Sequence, residues 1–392
     1  MKATPFTVAI PDEDVEDLRR RLRNTRWADD FGNEDARYGI ERGWLEQMVA
    51  YWAEDYDWRT HEAAINAFPM YRVEIDTVPV HFIHAKGKGP DPIPLICTHG
   101  WPWTFWDWHE VIGPLTDPAA YGGDPSLSFD LIVPSLPGFG FSTPLRTTGV
   151  DARRVAGLWN TLMREVLGYD RYAAAGGDWG AIVTGELGHG YGDNLIACWL
   201  ALPMLPGVSL RDLTPSDFAP DEQDLVVRDQ EARAHIMSHR TVHQYEPQTL
   251  AYALVDSPVG TAAWIWSRRK DWTRSGGDPT TVWSRDFLCT TASIYWLTRT
   301  IGTSLRVYYE SFNGGVKPPL HDRERVIDVP TGFGVFPHDV LHLPRAIAER
   351  RTNLRHWSRQ PSGGHFAPSE VPDLVVADIQ AFFSKLRDTG DA

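Results

Sequence analysis

Along the first hundred residues the apolar positions change period. Val15, Leu18 and Leu22 recur at helical spacing, behind the acids Asp12, Glu13 and Asp14, with arginines from Arg19 to Arg23 crowding the far end. Acids in a first turn and bases in a last turn complement the helix dipole, so this stretch predicts a helix. Trp44, Met48 and Trp52 share one face of a second helix predicted over Glu41 to Tyr56. At Tyr71 the period drops to two. Tyr71–Ile75 and Val80–His84 alternate around a short turn and predict a hairpin.

Short apolar runs follow, at Leu95–Thr98, Asp130–Pro134 and Tyr172–Ala174, with helical sequence over 151–168. Strands alternating with helices imply a parallel sheet covered on both faces. From about residue 203 to 300 that rhythm stops. Asp212–Glu231 and Thr249–Trp272 are helix-like, with Gly, Pro and Ser between them, which predicts a helical lid. Strand-like sequence returns at Arg325–Pro330 and Leu354–Trp357, and Leu374–Leu386 predicts a closing helix. The chain thus divides into an N-terminal extension (1–85) expected to pack on the main domain, an α/β core (86–202 and 301–392) and a lid (203–300).

One turn changes the picture from architecture to chemistry. Ala175-Gly176-Gly177-Asp178-Trp179-Gly180-Ala181 joins the strand at Tyr172 to a helix beginning near Ile182. Small residues around one reactive group at a strand-to-helix turn describe a nucleophile elbow, and here the apex is a carboxylate, Asp178. An Asp can also cap a helix, but capping does not require glycine on both sides. A carboxylate nucleophile suits attack on an sp³ carbon bearing a strained or good leaving group. The product is an ester, which then needs a base to activate water and a hole for the oxyanion.

Both are legible. His99-Gly100-Trp101-Pro102 ends a predicted strand, so the backbone N–H groups of Trp101 and Trp179 are the candidate hole. One such donor is typically worth about 10²–10³ in rate. Ser362-Gly363-Gly364-His365-Phe366 puts a histidine in a flexible loop before the last helix, and His365 is the candidate base. The acid that orients it should end the preceding strand, roughly 25 residues upstream. Asp339 fits; its competitor, Asp328, lies inside a predicted strand.

Composition narrows the partners. The chain has 392 residues, 42% hydrophobic and 23% charged, with a net charge of −14, which suits a globular protein and disfavours nucleic acid or an anionic membrane. No apolar run approaches the ~18 residues of a membrane span. Cys97, Cys198 and Cys289 are far apart and lack metal spacing, so a reducing cytoplasm is expected, with no disulfide and no metal. Many of the 17 tryptophans fall in 101–108 and 264–283 and suggest an aromatic-lined cavity, with Trp103 and Trp106 as candidate substrate contacts.

Together these stretches resemble epoxide hydrolases of the microsomal type, within the α/β-hydrolase superfamily. The resemblance spans nearly the whole chain. It includes Phe6-Thr7-Val8, Leu22–Trp27, the Trp101 and Asp178 turns, Asp256-Ser257-Pro258-Val259-Gly260, Pro330-Thr331-Gly332 and Gly363-Gly364-His365-Phe366-Ala367. It implies Asp178 as nucleophile, His365 as base, Asp339 as its acid, and no cofactor. The family also uses two lid tyrosines that hold the epoxide oxygen. Tyr308 matches one, with Tyr309 as a neighbouring alternative. The position of the other is His239, a departure from the pattern, so either His239 itself or Tyr245 is the candidate second donor, or one tyrosine suffices. The implied partner is a small-molecule epoxide, and a homodimer is compatible with the chain. Bacterial members of this type serve natural-product pathways, including those of enediyne antibiotics, and the aromatic-rich lid suits a bulky aromatic epoxide. A haloalkane dehalogenase would use the same Asp nucleophile, and a non-catalytic ligand-binding protein would share the fold.

Overall fold

The computed structural model describes residues 1–202, 204–235, 237–313 and 323–390, without the side chains of residues 211 and 231–235. Residue 203, the expected start of the lid, lies outside them. The strands are β1 (Thr4–Phe6), β2 (Met70–Ile75), β3 (Val78–Ala85), β4 (Ile93–Thr98), β5 (Phe129–Pro134), β6 (Tyr172–Gly176), β7 (Leu195–Leu200), β8 (Ile327–Val335) and β9 (Thr352–Arg359). They form one sheet in the order β1-β2-β3-β5-β4-β6-β7-β8-β9. Pairing is antiparallel from β1 to β5 and parallel from β5 to β9. The result is a mostly parallel sheet with helices on both faces, as the sequence predicts.

The helices are α1 (Asp12–Arg23), α2 (Arg42–Glu54), α3 (Trp58–Asn66), α4 (His109–Thr116), α5 (Ala152–Thr161), α6 (Trp179–Gly190), α7 (Gln223–His235), α8 (Ser238–Tyr245), α9 (Pro247–Asp256), α10 (Pro258–Asp271), α11 (Arg285–Leu297), α12 (Thr300–Ser304), α13 (Arg306–Asn313), α14 (Arg345–Arg351), α15 (Ala367–Glu370) and α16 (Pro372–Thr389). The helix expected over Thr249–Trp272 is two. Pro258 has no N–H and pushes Ser257 out of helical geometry, and the Ser257 side chain then caps α10 by accepting from Gly260 N–H.

The extension divides differently from expectation. Its hairpin, β2 and β3, belongs to the main sheet. Its helices pack mainly on the lid: Trp44 donates to Asp278, Tyr51 to Asp286 and Trp52 to Ser293, while the Trp44 and Trp52 rings meet Trp266 of α10. The lid also runs past residue 300, through α12 and α13 to Asn313. Tyr308 therefore rides on the lid, not on the core.

β6 holds the centre of the parallel region, between β4 and β7. Its residues, Tyr172-Ala173-Ala174-Ala175-Gly176, are all buried, and their small side chains let helices lie close on both faces. Glycine at position 180 has the same cause: a Cβ there would overlap the Thr98 carbonyl at the end of β4. The close approach brings the β4 and β6 ends together, and with them the Trp101 and Asp178 turns.

Candidate active site

Asp178 sits between β6 and α6 with φ 53° and ψ −125°, a left-handed conformation that L-residues avoid. Such a position stores about 1–3 kcal/mol of strain and persists only where its surroundings over-determine it. One constraint is Gly100, where a Cβ would overlap the Asp178 side chain. The Trp101 backbone N–H donates to Asp178 Oδ1 at 2.7 Å. Trp179 opens α6, where backbone N–H groups lack intrahelical acceptors and the dipole favours negative charge. His99 fixes the facing turn: Leu136 N–H donates to its Nε2 at 3.0 Å, leaving Nδ1–H for the Gly100 carbonyl at 2.9 Å. Burial lowers this imidazole to about 4, in keeping with its neutral form.

The other Asp178 oxygen, Oδ2, faces His365 Nε2 at 3.4 Å. His365 Nδ1 meets Asp339 Oδ1 at 2.8 Å. Asp339 follows β8, and its Oδ1 also accepts from Val340 N–H at 2.6 Å. Burial disfavours the imidazolium, but the Asp339 charge and hydrogen bonds to Asp178 and Asp339 outweigh it and raise His365 to about 9. Asp328, the competing acid, is exposed at the start of β8 and pairs with Arg323.

Above this floor the lid supplies Tyr308 from α13 and His239 from α8. Both are buried, with Tyr308 Oη 3.2 Å from His239 Nε2. The Tyr308 ring stands across Trp179 at 4.8 Å and 82°, and His239 stacks on Trp101 at 5.1 Å and 10°. Burial, then the Asp178 charge, holds the Tyr308 phenol well above its usual range, so it keeps its proton and can donate it. A cavity of about 510 Å³ opens here, lined by Asp178, His365, Tyr308, His239 and Trp272 and by other side chains that are mostly apolar. That size suits a small organic ligand. Among the described residues no cluster could hold a metal ion, and no helix is long and apolar enough to cross a membrane.

Residues 3–108 match the epoxide hydrolase N-terminus, and residues 93–225 match the α/β-hydrolase fold. A protein of Stigmatella aurantiaca, provisionally named an epoxide hydrolase, is 38% identical over 98% of this chain and 85% of its own length. The chain belongs to the epoxide hydrolases, in their microsomal-type branch of the α/β-hydrolases. Epoxide hydrolase 1 of Oryctolagus cuniculus is 31% identical over 96% of this chain and 88% of the relative. The solved Aspergillus niger epoxide hydrolase superposes with a TM-score of 0.85 at 29% identity, covering 98% of this chain and 97% of that one.

Within this epoxide hydrolase fold the sequence-predicted residues separate cleanly. Asp178, His365, Asp339, Trp101, Trp179, Tyr308 and His239 come together at the cavity. Tyr309 and Tyr245 do not. Tyr308 is 4% exposed, but Tyr309 is 44% and Tyr245 65% exposed, because each lies on the solvent side of its helix. Nor do Trp103 and Trp106 line the cavity. Trp103 packs behind His365 at 5.6 Å, and Trp106 stacks on His109 at 4.1 Å.

Other residues at the site went unrecognised in the sequence. The Trp272 ring meets His365 edge-on at 4.8 Å while its carbonyl accepts from His365 N–H at 3.0 Å. The Glu370 carboxyl accepts from Gly364 N–H at 3.0 Å and Phe366 N–H at 2.8 Å, gripping the backbone on both sides of His365, and burial pushes it up to about 8. Arg269, wholly buried, pairs with Asp107 at 2.7 Å and lies 4.0 Å from the Phe366 ring. His243 accepts from the Trp264 indole at 3.0 Å and abuts Trp101. Only the tryptophan-rich 264–283 zone signalled any of them.

Proposed function

We propose that this chain opens an epoxide to a vicinal diol through a covalent ester on Asp178. The observation that carries the reading is the division of labour between the two Asp178 oxygens. Oδ1 is held by Trp101 N–H, and Oδ2 faces His365. Oδ2 attacks a ring carbon and the ring C–O bond breaks. Tyr308 donates its proton to the departing oxygen, with His239 as the second hydrogen-bond donor. His365, oriented by Asp339, then takes a proton from water as the hydroxide adds to the ester carbon, Cγ. Charge collects on Oδ1 at the hole of Trp101 and Trp179. The Cγ–Oδ2 bond breaks, the diol oxygen takes the proton from His365, and the Asp178 carboxyl, now holding one oxygen from water, passes its remaining proton through solvent to the Tyr308 phenolate, which restores both groups.

The cavity volume and the apolar side chains beyond the reacting groups favour a bulky epoxide with an apolar body, as a natural-product pathway would supply. Three buried, free cysteines support a reducing compartment such as the cytoplasm. The test is a diol assay on a panel of epoxides, run beside chloride release from chloroalkanes, with His365→Gln examined by intact mass. Diol without chloride, and a His365→Gln adduct heavier by one epoxide, is the expected result. Chloride release, or diol formation by His365→Gln without an adduct, contradicts it.

A further inference from the structure

The cavity has a second polar end. α6 leads away from Asp178, and its cavity-lining residues Trp179, Ile182 and Glu186 are spaced three and then four apart, so they share one helix face. At 1.5 Å per residue, Glu186 lies about 12 Å from Asp178 along the helix axis. Ile182, Leu202, Leu205, Leu210 and Phe312 are apolar members of the lining. Glu186 is only 8% exposed, yet it lines this cavity, and its Oε2 accepts from Arg153 Nε at 3.3 Å. Arg153, from α5, lines the same end.

Burial raises the Glu186 carboxyl, against the opposing pull of Arg153. Neither residue has a part in the chemistry at Asp178. We propose that Glu186 and Arg153 form a distal subsite that recognises a neutral hydrogen-bonding group, such as a hydroxyl, at the far end of the substrate's apolar body. The proposal rests on the reading of Asp178 as the reacting end. Arg153 offsets the Glu186 charge, and Asp151 and Arg240 add one charge of each sign to the same lining, so an ionic group would lose its hydration for little net attraction. A hydroxyl can donate to the Glu186 oxygen and accept from the Arg153 guanidinium, and so suits both.

Two straight-chain terminal epoxides test this, each of about twelve carbons and so able to span the distance. One ends in a methyl group and the other in a hydroxyl. The wild type should favour the hydroxylated epoxide by about tenfold in kcat/KM, carried by KM. Glu186→Gln, which still accepts and donates, should keep much of that preference, and Glu186→Leu should bring the ratio to about one. No preference in the wild type, or an equal loss on both substrates in Glu186→Leu, would make the pair a mere strut between α5 and α6 and overturn the subsite. A short epoxide serves as control. Diol from it without a hydroxyl preference on the long pair sinks the subsite alone, whereas no diol from any epoxide sinks the catalytic reading and the subsite with it.

Discussion

The floor and the roof of the site are built by different rules. On the floor, Asp178, Trp101 and His365 each sit in a short turn rich in glycine, at or after a strand end. Local geometry dictates where each group points: a left-handed φ at Asp178, a close approach at Gly100, a loop held by Glu370 at His365. On the roof, Tyr308 and His239 sit on ordinary helices, where only rotational phase decides which side chain faces inward. Neighbouring residues on a helix differ by about 100°. Hence Tyr308 is buried and Tyr309 exposed, and His239 and His243, four apart, point inward while Tyr245 points out. The groups proposed to attack and to hydrolyse stand on the short turns, and the groups proposed to hold the epoxide oxygen stand on the lid helices.

Replacing the floor's nucleophile should have the largest effect. Asp178→Ala is expected to lose at least about 10⁴ in kcat, measured as diol release, because no other group supplies the attacking oxygen. Appreciable activity in that variant would move the nucleophile elsewhere.

The joint between floor and roof comes next. Arg269 reaches down from α10 to Asp107, and both are buried. Arg269→Met should cost about 3–5 kcal/mol of unfolding free energy, since it strands the Asp107 charge. The double variant with Asp107→Asn should recover part of that loss in a denaturant titration. Full stability in the single variant would mean that the lid is held by its other contacts alone.

On the roof itself, His239→Phe should lower kcat by about 10² while KM changes less, as removal of a donor used in ring opening requires. Restoration of the family's residue in His239→Tyr should keep most of the rate. If His239→Phe is fully active, Tyr308 alone holds the epoxide oxygen. Tyr245→Phe and Tyr309→Phe should fall within about 0.5 kcal/mol of the parent in stability and match it in rate.

The two halves also differ in pH response. His365 is raised from an ordinary 6.5 to about 9 in the free enzyme. A raised histidine contributes stability that is fully present below its unfolded value and is lost as pH climbs through the folded value. Thermal stability should therefore decline between about pH 6.5 and 9 through this group, less so in His365→Gln. Once Asp178 is esterified its charge is gone, the imidazole gives up its proton more readily, and ester hydrolysis should quicken with pH and level off at a lower pH than the free enzyme's about 9. A pH-independent hydrolysis phase would argue against His365 as the base.

This contrast also explains what was legible in the sequence. The parallel core, the Asp178 turn, the His365 loop and Asp339 could be read because each depends on residues adjacent in sequence. The sequence does not mark the end of the lid at residue 300, because helices α11, α12 and α13 follow one another without a strand between them. The N-terminal helices were assigned to the wrong surface because an apolar stripe announces burial without naming its partner. An aromatic cluster likewise signals packing without naming a cavity: Trp103 packs behind His365 and Trp106 on His109. Arg269 and Glu186 pair across long sequence separations, with Asp107 and Arg153, and Glu370 grips backbone N–H groups only four and six residues away, so no side-chain pattern marks any of them.

The covalent role of Asp178 is tested most directly by a single turnover in ¹⁸O-labelled water with enzyme in excess. The first diol should carry no label, and the label should be found in the Asp178 carboxylate by peptide mass spectrometry. Label in the first diol, with Asp178 unlabelled, would mean that water opens the epoxide itself.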